Sequence, residues 1–218
     1  MHELADLIQM CPPPPASVSV DWEPVESDLG VSLPADYKQL ATVYGPGNFC
    51  EYLSVYHPHG PTEWVDLLGP MPANLCRQLR KDREGGVFPV AHDPDDLLAC
   101  GVTDNGEHVF WVTEPAEDPD SWRIAVKEAR GPDWYSFDGG LVAFLAAVFS
   151  GRIAVPLFPD DLLDGGVGFS AHSERKPMGS VPPIPDRTQH GPPHPVSFAC
   201  GLGPPATTYQ TAGVSPPR

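Results

Sequence analysis

Four histidines and several runs of carboxylates are the side chains in this sequence with the most chemistry to offer. His57 and His59 stand two apart in "YHPHG", with His92 and His108 farther along. A zinc site asks three or four such ligands to converge, and the H-E-x-x-H spacing of a zincin is missing. We therefore expect loop histidines and no bound metal. Carboxylates crowd "HDPDDLL", "TEPAEDPDSW" and "FPDDLLD", so a general acid and a general base have many candidates. The Asp-Pro and Asn-Gly steps in these runs serve mainly to punctuate turns, and "TDNGE" lacks the ligand spacing of a calcium loop. Surface turns are the expectation. A nucleophilic hydrolase would show a G-x-S-x-G elbow or a well-flanked Cys with His, and neither is found. Cys50, Cys76 and Cys100 lie among apolar neighbours, which predicts inert core thiols. The glycines of "YGPGNF" follow a helix, whereas a phosphate loop needs them before one. No catalytic residue and no cofactor are expected.

These residues must be held by elements that the apolar spacing reveals. In "LPADYKQLATVYG", Leu33, Tyr37, Leu40, Ala41 and Tyr44 mark one face of a helix. Pro34 suits its first position, Asp36 the positive first turn, and Gly45 with Pro46 its end. A short helix over 22–29 precedes it, closed by Gly30, and "EYLSVYH" reads as a strand. Residues 62–83 read as a helix interrupted by "GPMP" at 69–72. Its second half carries Arg77, Arg80, Lys81 and Arg83, a basic cluster that fits the negative end of a helix. "LLACGVTDNGEHVFWVT" reads as a hairpin with Asn105 and Gly106 as its two central turn residues. "SWRIAVKEA" alternates as a strand, "DWYSF" supplies another, and Leu141, Phe144, Leu145, Val148 and Phe149 make a final helix ended by Gly151. Trp64, Phe110, Trp111, Trp122, Trp134 and Phe144 are expected in the core. The predicted fold is α+β: helices packed on a mostly antiparallel sheet.

Composition sets the boundaries. The chain has 218 residues, enough for one well-buried domain with some chain to spare. From Gly165 onward, 11 prolines and 8 glycines in 54 residues leave no sustained apolar period. Such a segment cannot bury enough surface to offset its ordering entropy. We expect an N-terminal helix and proline-rich link over 1–19, a folded domain over 20–164, and a disordered tail over 165–218. The tail has four basic against two acidic residues, so of the total charge of −16 the first 164 residues hold −18. That field repels phosphate backbones and anionic lipid, which argues against nucleic acid and membrane partners. It favours a basic protein partner instead. The longest apolar run, "LVAFLAAVFS", is about half the roughly 20 residues a spanning helix needs. Five scattered cysteines without a C-x-x-C pair argue against a disulfide framework, and the acidic N-terminus does not fit a signal peptide. The cytoplasm is the expected compartment.

Four stretches in order, "VESDLGVSLPADYKQLATVYGPGNF", "LLACGVTDNGEHVFWVT" with "EDPDSWRIAV", "GGLVAFLAAVFSGR" and "PLFPDDL", resemble the SUKH superfamily. These are the Smi/Knr-type domains of bacterial immunity proteins and fungal cell-wall regulators. The likeness spans about residues 20–162, and "GPMP" departs from the pattern. The resemblance implies an α+β binding module without catalytic residues, in which Leu33, Pro34, Tyr37, Gly45, Asn105, Gly106, Trp111 and Trp122 build the fold. It also implies an immunity protein that binds and blocks a toxin domain, such as a basic nuclease. The acidic loops carrying Asp93, Asp95, Asp96 and Glu114, Glu117, Asp118, Asp120 are the expected contact residues. Two alternatives stand beside this one: an intracellular scaffold or regulator whose "PPPP" and tail act as polyproline segments, and a carboxylate-dependent enzyme.

Overall fold

The computed structural model describes residues 2–86 and 88–172. In chain order these form α1 (His2–Met10), α2 (Trp22–Leu29), α3 (Ala35–Tyr44), β1 (Gly47–Phe49), β2 (Leu53–Val55), α4 (Pro70–Gly85), β3 (Leu97–Thr103), β4 (His108–Val112), β5 (Arg123–Lys127), β6 (Trp134–Phe137), α5 (Leu141–Phe149) and β7 (Phe169–Ala171). The seven strands make one sheet in the order β6-β5-β4-β3-β2-β1-β7. Every neighbouring pair is antiparallel. The class is α+β, as the sequence predicts. No helix among the described residues is long and apolar enough to cross a membrane.

Strand side chains alternate between faces, and the register assigns each row. Trp111, Ile124 and Phe137 lie side by side across β4, β5 and β6. On their face Trp111 meets Tyr37 of α3 with ring centroids 4.9 Å apart, and Phe137 meets Phe144 of α5 at 5.6 Å. The row three along, His108, Lys127 and Trp134, faces the other way. The segment after α4 covers it: Trp134 Nε1 donates to Pro89 O at 3.2 Å, and the His92 ring lies 5.8 Å from that indole. Eight of the nine residues of α5 are buried, because α1 packs on its far side. Apolar helix residues all round are what such a position demands. Full burial of a Leu or Phe there contributes about 1.5–3 kcal/mol.

Several expectations need correction. The N-terminal segment 1–19 is not separate from the core, because Leu7 and Cys11 are fully buried and Tyr44 Oη donates to Cys11 O at 2.6 Å. Nor does the folded part stop at 164. Phe169–Ala171 extends the sheet beyond β1, and the Phe169 ring lies 4.9 Å from both Tyr44 and Phe49. Gly47 permits this pairing, since a Cβ there would come within 2.6 Å of Ser170 O. The rest of the expected tail, 173–218, lies outside the described residues. "GPMP" does not interrupt a helix but starts one, with Pro70 and Pro72 in the first turn, where their missing N–H groups have no intrahelical partner anyway. Residues 62–69 are turns, and Trp64 projects from them 59% exposed instead of joining the core. The hairpin turn is also one residue longer than a primed two-residue turn: Gly106 N–H closes it on Thr103 O at 3.0 Å. Gly106 has φ +94 whereas Asn105 does not leave the negative region, the pattern of a turn followed by a glycine bulge.

Candidate functional site

Antiparallel order places the two acidic loops at the same end of the sheet. β3 begins where β4 ends, so Leu97 pairs with Val112 and Thr113 N–H donates to Asp96 O at 2.7 Å. The loop 93–96 before β3 and the loop 114–120 after β4 are therefore neighbours. The N-terminus of α3 reaches the same end, where Ala35 N–H donates to Asp120 Oδ1 at 2.6 Å. So does that of α5, where Val142 N–H donates to Asp36 Oδ2 at 3.0 Å. Neither helix has a side-chain cap from its own flanking residue. Carboxylates from distant parts of the chain supply the missing acceptors. Asp138, after β6, completes the cluster with Arg123 at 3.8 Å.

The seven expected contact residues thus meet, but they are not equivalent. Asp93 and Asp95 are ion-paired to Arg83 at 2.6 Å and Arg80 at 2.5 Å. The basic cluster of α4 therefore does more than match the helix dipole: two of its guanidinium groups neutralise this loop. Asp93 also accepts Asp95 N–H; the Arg83 side chain is the main cause holding its carboxyl below the usual range. Asp96 is half-buried. Asp120 is committed to the α3 amide. Glu114, Glu117 and Asp118 are exposed, and their side chains have no hydrogen bond or ion pair among the described residues. The loop carrying them is nonetheless anchored, because Trp122 Nε1 donates to Pro115 O at 2.8 Å. Trp122 is itself buried against Trp111, with centroids 6.3 Å apart.

Sequence reasoning missed Asp36 and Asp138 as members of this end. Asp36 lines a cleft of about 290 Å³ with Glu3, Gln39 and Asp120. Burial pushes its carboxyl up, against the pull of the Val142 and Tyr37 amides, and the charges of Asp120 and Glu3 push the same way. Its position in the first turn of α3 was visible; its partner lies 106 residues away. No local pattern announces that.

Comparison with family models, with curated proteins and with solved structures found no match.

His57 and the three cysteines singled out above are drawn into the fold. His57 is buried, with Nε2 3.3 Å from Ala41 O and Nδ1 accepting His59 N–H at 2.9 Å. Both ring nitrogens are thereby used, and burial pulls its pKa down to about 4. Among the described residues no group of three or more His, Cys, Asp or Glu is placed to hold a metal ion. Cys100 is buried, and burial raises its thiol well above the ordinary value; Cys50 and Cys76 are half-buried and shifted the same way. Thiols so shifted are poor nucleophiles. Leu33, Tyr37, Trp111 and Trp122 are buried, and Tyr37 Oη donates to Tyr56 O at 2.7 Å. Pro34 stands before α3 and Gly45 after it at φ +67.

Proposed function

We propose that this chain is a non-catalytic protein-binding module of SUKH type, an immunity protein that docks a basic toxin domain, such as a nuclease, on the acidic end of its sheet and blocks it in the cytoplasm. One observation carries the reading. Nine carboxylates (Asp36, Asp93, Asp95, Asp96, Glu114, Glu117, Asp118, Asp120 and Asp138) gather where, among the described residues, Arg80, Arg83 and Arg123 are the basic side chains ion-paired with them. Such a concentration steers a cationic partner and competes with the phosphates of that partner's own substrate. Glu114, Glu117 and Asp118 are the residues free to meet it.

Affinity capture from the native lysate at low and high salt tests the reading. A basic partner released by salt is the expected catch. Acidic partners only, or partners indifferent to salt, would overturn it. Once a partner is in hand, joint reversal of Glu114, Glu117 and Asp118 to lysine should slow its association at low salt. Asp120 is left intact in that variant, since its loss would uncap α3 and confuse binding with folding.

A further inference from the structure

Two of the three large apolar side chains left exposed among the described residues, Trp64 at 59% and Leu68 at 39%, belong to one short segment, 60–69. This segment is tightly held. His57 N–H donates to Val65 O at 3.0 Å and Leu67 N–H donates to His57 O at 3.2 Å, while Leu68 N–H is received by Asp66 Oδ1 at 3.0 Å. Leu67 plugs the segment into the core at 1% exposure. The backbone just after Trp64 is thus fixed to a buried histidine, as is Gly60 before it, whose N–H donates to His57 O at 2.8 Å, and the indole is presented outward from this support.

The same segment, through Leu67, Leu68 and Gly69, walls a groove of about 310 Å³ whose other lining includes Leu29, Pro72, Ala73 and Leu98. Its charged border is uneven. Asp28 lines the α2 side, and Glu63 and Asp66 belong to the Trp64 segment; on the α4 side Cys76 is followed by exposed Arg77. The groove also adjoins the acidic end, because Leu98 lies two residues beyond Asp96 and Cys76 Sγ donates to Leu97 O at 3.1 Å.

We propose that this groove receives a partner segment carrying one large apolar side chain flanked by basic residues, with the basic residues running along the Asp28, Glu63 and Asp66 side and away from Arg77. The inference rests on the basic-partner reading above and adds the place where contact becomes durable. Exposed carboxylates mainly set the rate of encounter, whereas a desolvated aromatic beside an apolar pocket sets the lifetime of a complex. The carboxylates of Asp28, Glu63 and Asp66 select a basic segment over an acidic one.

Three labelled synthetic peptides test it against the full chain by fluorescence anisotropy at physiological salt: an amphipathic Lys/Leu peptide, a Lys/Ser peptide of equal charge, and a Glu/Leu peptide of equal apolar spacing. The Lys/Leu peptide should bind best. Trp64→Ala and Leu68→Ser should each weaken it about tenfold or more, Asp28→Lys with Glu63→Lys should weaken it too, and Arg77→Glu should not. Both apolar substitutions are at exposed positions, and unchanged circular dichroism should accompany them. If Trp64→Ala leaves Lys/Leu binding intact, or if the Glu/Leu peptide binds as tightly, the groove proposal fails. If Lys/Leu and Lys/Ser bind alike and only the Glu114, Glu117 and Asp118 reversal weakens them, the groove fails while the basic-partner reading stands. If neither basic peptide binds, both fail.

Discussion

The loops 93–96 and 114–120 have the same sign, similar composition and adjacent places in the fold, yet their charges are spent differently. In the first, Asp93 and Asp95 are matched by Arg83 and Arg80 from the last turns of α4. In the second, Asp120 is consumed by the α3 amide while Glu114, Glu117 and Asp118 are exposed and have no partner among the described residues. The lesson is that acidic residues in a sequence are not yet an acidic surface. What decides is which backbone amides and guanidinium groups the fold brings within reach.

Four perturbations bear on this contrast, and the largest comes from outside both loops. His57 and His108 each have a pKa of about 4, held down mainly by burial, with Lys127 contributing at His108. The ordinary value is about 6.5, so the unfolded chain takes up these protons first. Stability should be full above pH 6.5 and fall as pH drops toward 4, by on the order of 3 kcal/mol for each imidazole. Urea midpoints followed across that range would show it, and a flat profile would contradict the neutral, buried assignment. Comparisons of the two loops therefore belong above pH 7, where the fold itself is not titrating.

Next in size is the cap. Asp120→Ala should cost about 1–2 kcal/mol by stripping the acceptor from the N-terminus of α3, while Glu117→Ala in the same loop should shift the urea midpoint hardly at all. Equal effects would mean that the two carboxylates are not divided between structure and surface. Third, the joint reversal of Glu114, Glu117 and Asp118 should slow association with a basic partner about tenfold at low salt, measured by stopped flow. The smallest effect is the most discriminating. Arg80→Ser with Arg83→Ser should unmask Asp93 and Asp95 and raise that same rate modestly, an increase that disappears in high salt. A decrease would place the arginines themselves in the interface.

Helices over 22–29 and 141–149 and the central strands were legible because their apolar periods are uninterrupted and their ends carry Gly30 and Gly151 in the left-handed region. What was hidden depended on contacts between distant residues. β1 escaped notice because its turn into β2 is built from Cys50 and Glu51, both at positive φ, instead of the usual Asn-Gly. β7 was masked by its glycine-rich surroundings, since a single Phe169 anchors it. Residue type alone puts Trp64 inside, whereas the tight turns around it hold it out. At the acidic end the seven residues could be named from the sequence, but their neutralisation by Arg80 and Arg83, and the recruitment of Asp36 and Asp138, required the sheet order.

The most direct test of the acidic end as a docking surface is the salt dependence of the association rate with the captured partner, wild type beside the Glu114, Glu117 and Asp118 reversal. The two should differ about tenfold at low salt and converge as salt is raised. Rates that coincide at every salt concentration would contradict the account.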